Sequence, residues 1–378
     1  MNDWTTRNTA LFQGGEQVEN FRQMATIHPV RVIRRAATPS PLPRGPRLTL
    51  PASFAFAGQR LDTAHFLAEM ETTGLIVIRD GAVVFEDYWL GNDATTQSIG
   101  WSVSKSFVSA LVGIAIDEGH ITAIEDPVTR YAPELAGGGY DGVRLKDVLQ
   151  MSSGVRWNED YSDPNSDIAR YGRAMGPGGS LDALAAECVR EREPGTFNLY
   201  NSTDTHVLGL VLRRATGRSM AEYLRDKLWQ PLGMEADGFW MVDAMGAELA
   251  GVGLSAVLRD YARLGCCYLN GGAWNAAQIL PAAWVKASVT PDAPHLMPNR
   301  PDAMIPLGYG YQWWIPDDSG AFCAMGVYNQ FVWVDPASRT VIAKTSAFRR
   351  YGSSPSLESY RVGDHFGLFG AIAEATAA

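Results

Sequence analysis

The sequence predicts an α/β protein of the α+β kind, in which a central antiparallel sheet is assembled from both ends of the chain and helices are inserted between them. Three observations predict this. Residues 74–89 read as a hairpin: Leu75-Ile76-Val77-Ile78, then Arg79-Asp80-Gly81, then Val83-Val84-Phe85-Glu86-Asp87-Tyr88. Asp-Gly between β-rich runs is a strong two-residue turn signal. Residues 331–346 read as a second hairpin, Phe331-Val332-Trp333-Val334 and Thr340-Val341-Ile342-Ala343 around Asp335-Pro336-Ala337-Ser338. Between them, residues 126–300 alternate helical stretches with loops. Strands near both termini with helices between give a sheet built from both ends.

The elements follow in order. Residues 1–52 form an arm rather than a core. They carry His28-Pro29-Val30-Arg31-Val32-Ile33-Arg34-Arg35 and a proline-rich run from Pro39 to Pro51, and such composition favours extended backbone wrapping a larger body. Phe107 to Ile116 is apolar at nearly every position and ends at Asp117-Glu118-Gly119, as a buried helix does. Val207–Thr216, Ser219–Leu228 and Ser255–Leu269 read as helices. Residues 308–315 read as a strand, and a last helix spans about 356–375. There are no internal repeats.

Composition excludes several function classes. A formal net charge of -9 argues against nucleic acid or an anionic membrane as the main partner. The four cysteines (Cys188, Cys266, Cys267, Cys323) include no CxxC pair and are expected to be reduced and mostly buried. The histidines show no HxxxH or HExxH spacing, so no metal site is expected. No basic segment followed by an apolar run opens the chain, and no stretch reaches about 18 uninterrupted apolar residues. The expectation is a cytoplasmic protein without cofactor.

The chemistry centres on lysine. Only five of the 32 basic residues are lysines, and Lys105 alone has a serine three positions earlier, in Ser102-Val103-Ser104-Lys105. Arginine cannot lose its proton in a protein, whereas a desolvated lysine can. Ser102 would sit at the start of the apolar helix with Lys105 one turn in, on the same face. The helix N-terminus would add free N–H groups for an oxyanion. A third member must move the proton, and tyrosine suits this if cationic neighbours depress its pKa. Phe197-Asn198-Leu199-Tyr200-Asn201-Ser202, on a loop entering the helix at Val207, supplies Tyr200. Ser202 reads equally as a helix N-cap or a catalytic helper.

Ser102-Val103-Ser104-Lys105, Tyr200-Asn201-Ser202 and a glycine at Ala324-Met325-Gly326 together resemble the serine β-lactamase and penicillin-binding-protein superfamily. The resemblance is narrower towards the class C-like branch of carboxylesterases, D-amino-acid peptidases and 6-aminohexanoate-oligomer hydrolases. Leu149-Gln150-Met151-Ser152-Ser153-Gly154, the segment Trp157-Asn158-Glu159-Asp160-Tyr161-Ser162-Asp163-Pro164, and Gly253-Leu254-Ser255-Ala256 with Arg259-Asp260-Tyr261-Ala262-Arg263 carry it further. The segment at Trp157 is especially similar to the oligomer hydrolases. The resemblance spans roughly residues 20–370.

The resemblance implies a β-lactamase-like fold with an N-terminal arm (1–52), a discontinuous α/β subdomain (53–125 and 245–378), a helical subdomain (126–244) and the active site in the cleft between. It implies acyl transfer through Ser102, with Lys105 and Tyr200 taking its proton and the N–H groups of Ser102 and Val327 holding the oxyanion. Ser202 and Gly326 would support, and Tyr161, Tyr328 and Gln330 would meet the substrate, Tyr161 as a mobile lid contact. Three departures matter. The second motif, Tyr-x-Asn in many relatives, is Tyr200-Asn201-Ser202 here, which keeps a hydrogen-bonding group at Ser202. The Lys-Thr of the third motif is replaced by Ala324-Met325, so lactamase activity is expected to be weak or absent. Asn329 stands where that branch often carries glycine.

Three functions compete. Amide hydrolysis of small linear substrates comes first, carboxylester hydrolysis second, and a non-catalytic binding protein third. The partner is a small amide or ester. Whether the chain forms a homodimer stays open.

Overall fold

The computed structural model describes residues 16–300, 305–352 and 357–375. The first fifteen residues of the arm and the start of the last predicted helix, at 356, lie outside the described residues. Two sheets carry the architecture. In chain order their strands are β1 (Val30–Ile33), β2 (Thr72–Arg79), β3 (Ala82–Tyr88), β4 (Ser98–Ile99), β5 (Gly238–Met241), β6 (Leu254–Ala256), β7 (Gly308–Tyr309), β8 (Trp314–Ile315), β9 (Phe322–Gly326), β10 (Gln330–Asp335) and β11 (Thr340–Ser346). The large sheet is antiparallel with order β7-β8-β9-β10-β11-β2-β3, so both ends of the chain build it. The small sheet has order β1-β5-β6-β4. Five helices position the site: α1 (Ser104–Asp117), α2 (Asp167–Ala174), α3 (Ser202–Thr216), α4 (Leu258–Leu269) and α5 (Val362–Glu374).

Both predicted hairpins form. Asp80 and Gly81 take φ 49° and 79°, the positive pair that a two-residue hairpin turn needs. The large sheet is buried on both faces, which is why its strands read as nearly unbroken apolar runs. Ile76, Ile78, Val332, Val334 and Val341 face the core shared with α1 and α4. Leu75, Val77, Phe331, Trp333 and Ile342 face Leu368 and Phe369 of α5. Helix α1 is buried from Ser104 to Ala115, so it runs through the middle of the molecule.

The arm does more than wrap. Its β1 pairs with β5, Val30 opposite Met241. Its proline-rich run lies against β3, the edge of the large sheet: Val83 N donates to Pro43 O, and Gly45 N and Leu48 N donate to Val83 O and Val84 O. That covers an edge that would otherwise offer unpaired groups to another chain.

Three predicted elements shift. Ser255 lies on β6, and the helix begins only at Leu258. The 308–315 strand is two short strands, broken where Gln312 adopts φ 63° and its side-chain amide bonds Leu149 O. The last helix starts at Val362, after a short 3-10 turn.

The Arg259–Arg263 motif is structural. Asp260 and Arg263 are fully buried and paired at 2.7 Å. Asp260 also accepts from Glu235 N and Ala236 N, and Arg263 donates to Ser40 O of the arm. Arg263→Leu should therefore lower stability by about 3–5 kcal/mol, because it leaves a buried carboxylate without its cation. The urea-unfolding midpoint tests this, and a loss below about 1 kcal/mol would exclude it.

Candidate active site

The turn carrying Ser102 is built tightly. Trp101 adopts φ 48°, unusual for a bulky residue, and lifts the chain into a 3-10 turn just before α1. Ser104 Oγ donates to Trp101 O and accepts from Leu254 N, tying the turn to β6. Tyr261 of α4 packs beneath Gly100, its hydroxyl 2.9 Å from Ser98 O and from Leu254 O.

Lys105 is fully buried, and its Nζ lies 2.8 Å from Ser102 Oγ, 2.9 Å from Gly251 O and 3.2 Å from Ser202 Oγ. Burial pushes its pKa down to about 8, against an opposing pull from the Glu159 charge. A lysine in this range reaches its neutral, basic form near physiological pH.

Tyr200 sits on the loop just ahead of α3. The nearby Ser102 side chain pulls the Tyr200 pKa down slightly, against larger opposing effects. Its ring stacks on Trp314, centroids 5.0 Å apart, and Lys105 Nζ lies 5.0 Å from its centre. The expectation of a depressed tyrosine pKa is overturned. Burial raises the Tyr200 pKa well above its usual value, and the Glu159 charge raises it further. Near neutral pH Tyr200 is therefore held as a phenol.

Ser202 is not the N-cap of α3. Asn201 fills that position, accepting from Thr203 N, and Ser202 Oγ instead donates to Glu159 Oε1 at 2.7 Å. Glu159 is the residue that sequence reasoning missed. Trp157 Nε1, Tyr161 OH and Ser202 N also donate to its carboxylate. Its segment was singled out for resemblance, but nothing in a loop's spacing announces a partner 43 positions away.

The turn after β9 completes the site. A Cβ on Gly326 would lie 2.3 Å from Gly100 O, so only glycine lets β9 come this close to the Ser102 turn. Val327 follows directly and is buried. Tyr328 and Asn329 adopt φ 62° and 69°, which explains why glycine or asparagine suits position 329. The Tyr328 ring packs on Phe21 and Trp101 as a wall of the site. Gln330 departs from its predicted contact with substrate. Its Nε2 reaches Val327 O, Tyr328 O and Ser346 O, and its Oε1 accepts from Ser346 N, so it clamps the turn. His206, on α3, is bonded to Asp182, a carboxylate that also accepts from Arg213.

A buried lysine within hydrogen-bond reach of a serine at the start of a central helix is the arrangement of a serine acyltransferase. The beta-lactamase family model matches residues 63–360. The chain belongs to that family. A 6-aminohexanoate-dimer hydrolase of Paenarthrobacter ureafaciens is 31% identical over 337 residues, covering 87% of this chain and 84% of the relative. A solved Bacillus anthracis structure, provisionally named a 6-aminohexanoate-dimer hydrolase, superposes with TM-score 0.82 at 24% identity, over 96% of this chain and 95% of that one. A family VIII carboxylesterase shares the fold at TM-score 0.60 and 18% identity, over 80% of this chain and 94% of that one. The protein is thus a serine hydrolase of the β-lactamase fold. Among the described residues, no helix is long and apolar enough to cross a membrane.

Proposed function

We propose that this hydrolase cleaves amide bonds of small linear substrates of the 6-aminohexanoate-oligomer kind, through an acyl-enzyme on Ser102. The observation that carries the proposal is the 2.8 Å contact between Ser102 Oγ and a fully buried Lys105 whose pKa is lowered to about 8. Lys105 takes the Ser102 proton as Oγ attacks the carbonyl. The N–H groups of Ser102 and Val327 receive the oxyanion. Tyr200 protonates the departing nitrogen and recovers its proton from the Lys105 ammonium. Water then releases the acid by the reverse sequence. An amine leaves poorly unless protonated, so a phenol held in its acid form favours amides. The 31% identical dimer hydrolase supports the substrate class, as does the resemblance of the segment 157–164 to such hydrolases.

The test is turnover of the linear 6-aminohexanoate dimer, with Ser102→Ala as control. Ser102-dependent release of 6-aminohexanoate is expected. Cleavage of a short-chain nitrophenyl ester without amide cleavage would make the protein a carboxylesterase by the same mechanism.

A further inference from the structure

Lys105 Nζ touches three oxygens, but a neutral amine has two N–H groups and one lone pair, so one of the three must donate to it. Gly251 O can only accept, and it takes one N–H. The two hydroxyls could play either part. Ser202 is decided by Glu159: its hydroxyl proton is claimed by Oε1, since a carboxylate only accepts. With its proton committed, Ser202 Oγ faces Lys105 as an acceptor and takes the second N–H. The lone pair is left for the Ser102 hydroxyl.

We propose that Glu159 is a positioning residue, aiming the lone pair of Lys105 at Ser102 through the hydroxyl of Ser202. This rests on Lys105 being the base, as proposed above. The carboxylate is itself fixed by Trp157, Tyr161 and the Ser202 N–H, so the direction of the chain is built into the 157–161 loop. Any rearrangement of that loop would also rearrange the base. The titratable groups facing Lys105 are Glu159, the Tyr200 phenol from the α3 side, and Tyr171 of α2, whose hydroxyl lies near Gly251. Burial keeps both tyrosines protonated well above their usual range, so Glu159 supplies the charge that acts on Lys105 near neutrality.

Glu159→Gln presents an amide N–H where a pure acceptor stood, and Ser202→Ala removes the bridge. Each should lower the plateau kcat about 10- to 100-fold, and the double variant should fall no further than the worse single one. The pH profile separates positioning from general damage. Removing the Glu159 charge withdraws a pull that raises the Lys105 pKa, so the ascending limb of kcat/KM should move to lower pH even as the plateau falls. More neutral lysine with less activity is the signature of a misdirected lone pair. A plateau within about twofold of wild type in both single variants, losses that multiply in the double variant, or a limb that stays or moves upward would overturn the inference. Lys105→Met measured alongside distinguishes the failures. If it stays active, the Ser–Lys mechanism is wrong. If it is inactive while Glu159→Gln behaves as wild type, only the positioning role is wrong.

Discussion

Lys105→Met should lower kcat by about 10²–10⁴-fold, the usual contribution of a general base, while the protein still folds. Methionine nearly matches the shape of the lysine stem and carries no group able to take the Ser102 proton. The fold should tolerate the change, because opposing effects nearly cancel. Gly251 O and Ser202 Oγ lose a donor, which costs about 1–3 kcal/mol for a buried acceptor. Against this, wild type carries a buried amine whose pKa is depressed from 10.5 to about 8. Below pH 8 the unfolded chain holds that proton more strongly than the folded one, so the lysine destabilises the fold there. The penalty fades as pH rises from about 8 towards 10.5, where the unfolded lysine too becomes neutral. Methionine removes it. At pH 7 the melting temperature should shift by no more than about 8 °C in either direction.

The same lysine sets the pH dependence of activity. The base works only when neutral, so wild-type kcat/KM should rise with a midpoint near pH 8. Tyr200 should not impose a falling limb below pH 10, since burial holds its phenol protonated beyond that point. Whatever slow turnover Lys105→Met retains should lack the rise near pH 8. Steady-state rates on a nitrophenyl ester between pH 6 and 10 decide it. A variant that keeps wild-type rate, or keeps the pH 8 limb, would remove Lys105 from the role of base.

What the sequence could reveal followed the range of the interactions. Ser102 and Lys105 were legible because their contact is three positions long, across the 3-10 turn that leads into α1. Both hairpins were legible because turn residues and β-rich runs sit side by side. The strand at Val30–Ile33 was not, since its partner begins at Gly238 and four residues carry little periodicity of their own. Ser255 was drawn into a helix because the apolar pattern of α4 continues smoothly backwards into β6. The split of residues 308–315 depends on Gln312, whose amide reaches back to Leu149, and no local pattern encodes that. The direction of the Tyr200 pKa shift was not legible, because its sign comes from burial and from Glu159, neither of which its neighbours in sequence declare. Glu159 escaped for a related reason: its role exists only once the 157–161 loop lies against the start of α3.

Gly326→Ala should cost about 10²–10³-fold in kcat with little change in KM, the loss typical of one oxyanion donor. Gly326 lies outside the left-handed region of backbone space, so alanine meets no conformational penalty there. The obstacle is contact: the new Cβ would stand 2.3 Å from Gly100 O, against about 3.4 Å for ordinary packing. Gly100 cannot retreat. Its N–H is held by Leu254 O, its carbonyl accepts from Val103 N, and the Tyr261 ring lies beneath it. The end of β9 must therefore move outward by about 1 Å, carrying the Val327 N–H away from the carbonyl that Ser102 attacks, and a displacement of that size is enough to cost about 10²-fold. The Tyr328 wall rides on the same turn, but the Trp101 and Trp314 walls stay in place, so KM should change little. Slowed acylation by a fluorophosphonate, with folding intact by circular dichroism, would match this account. Full acylation speed in Gly326→Ala would show that Val327 N–H does not serve the oxyanion, and the second donor would have to be sought elsewhere around Ser102.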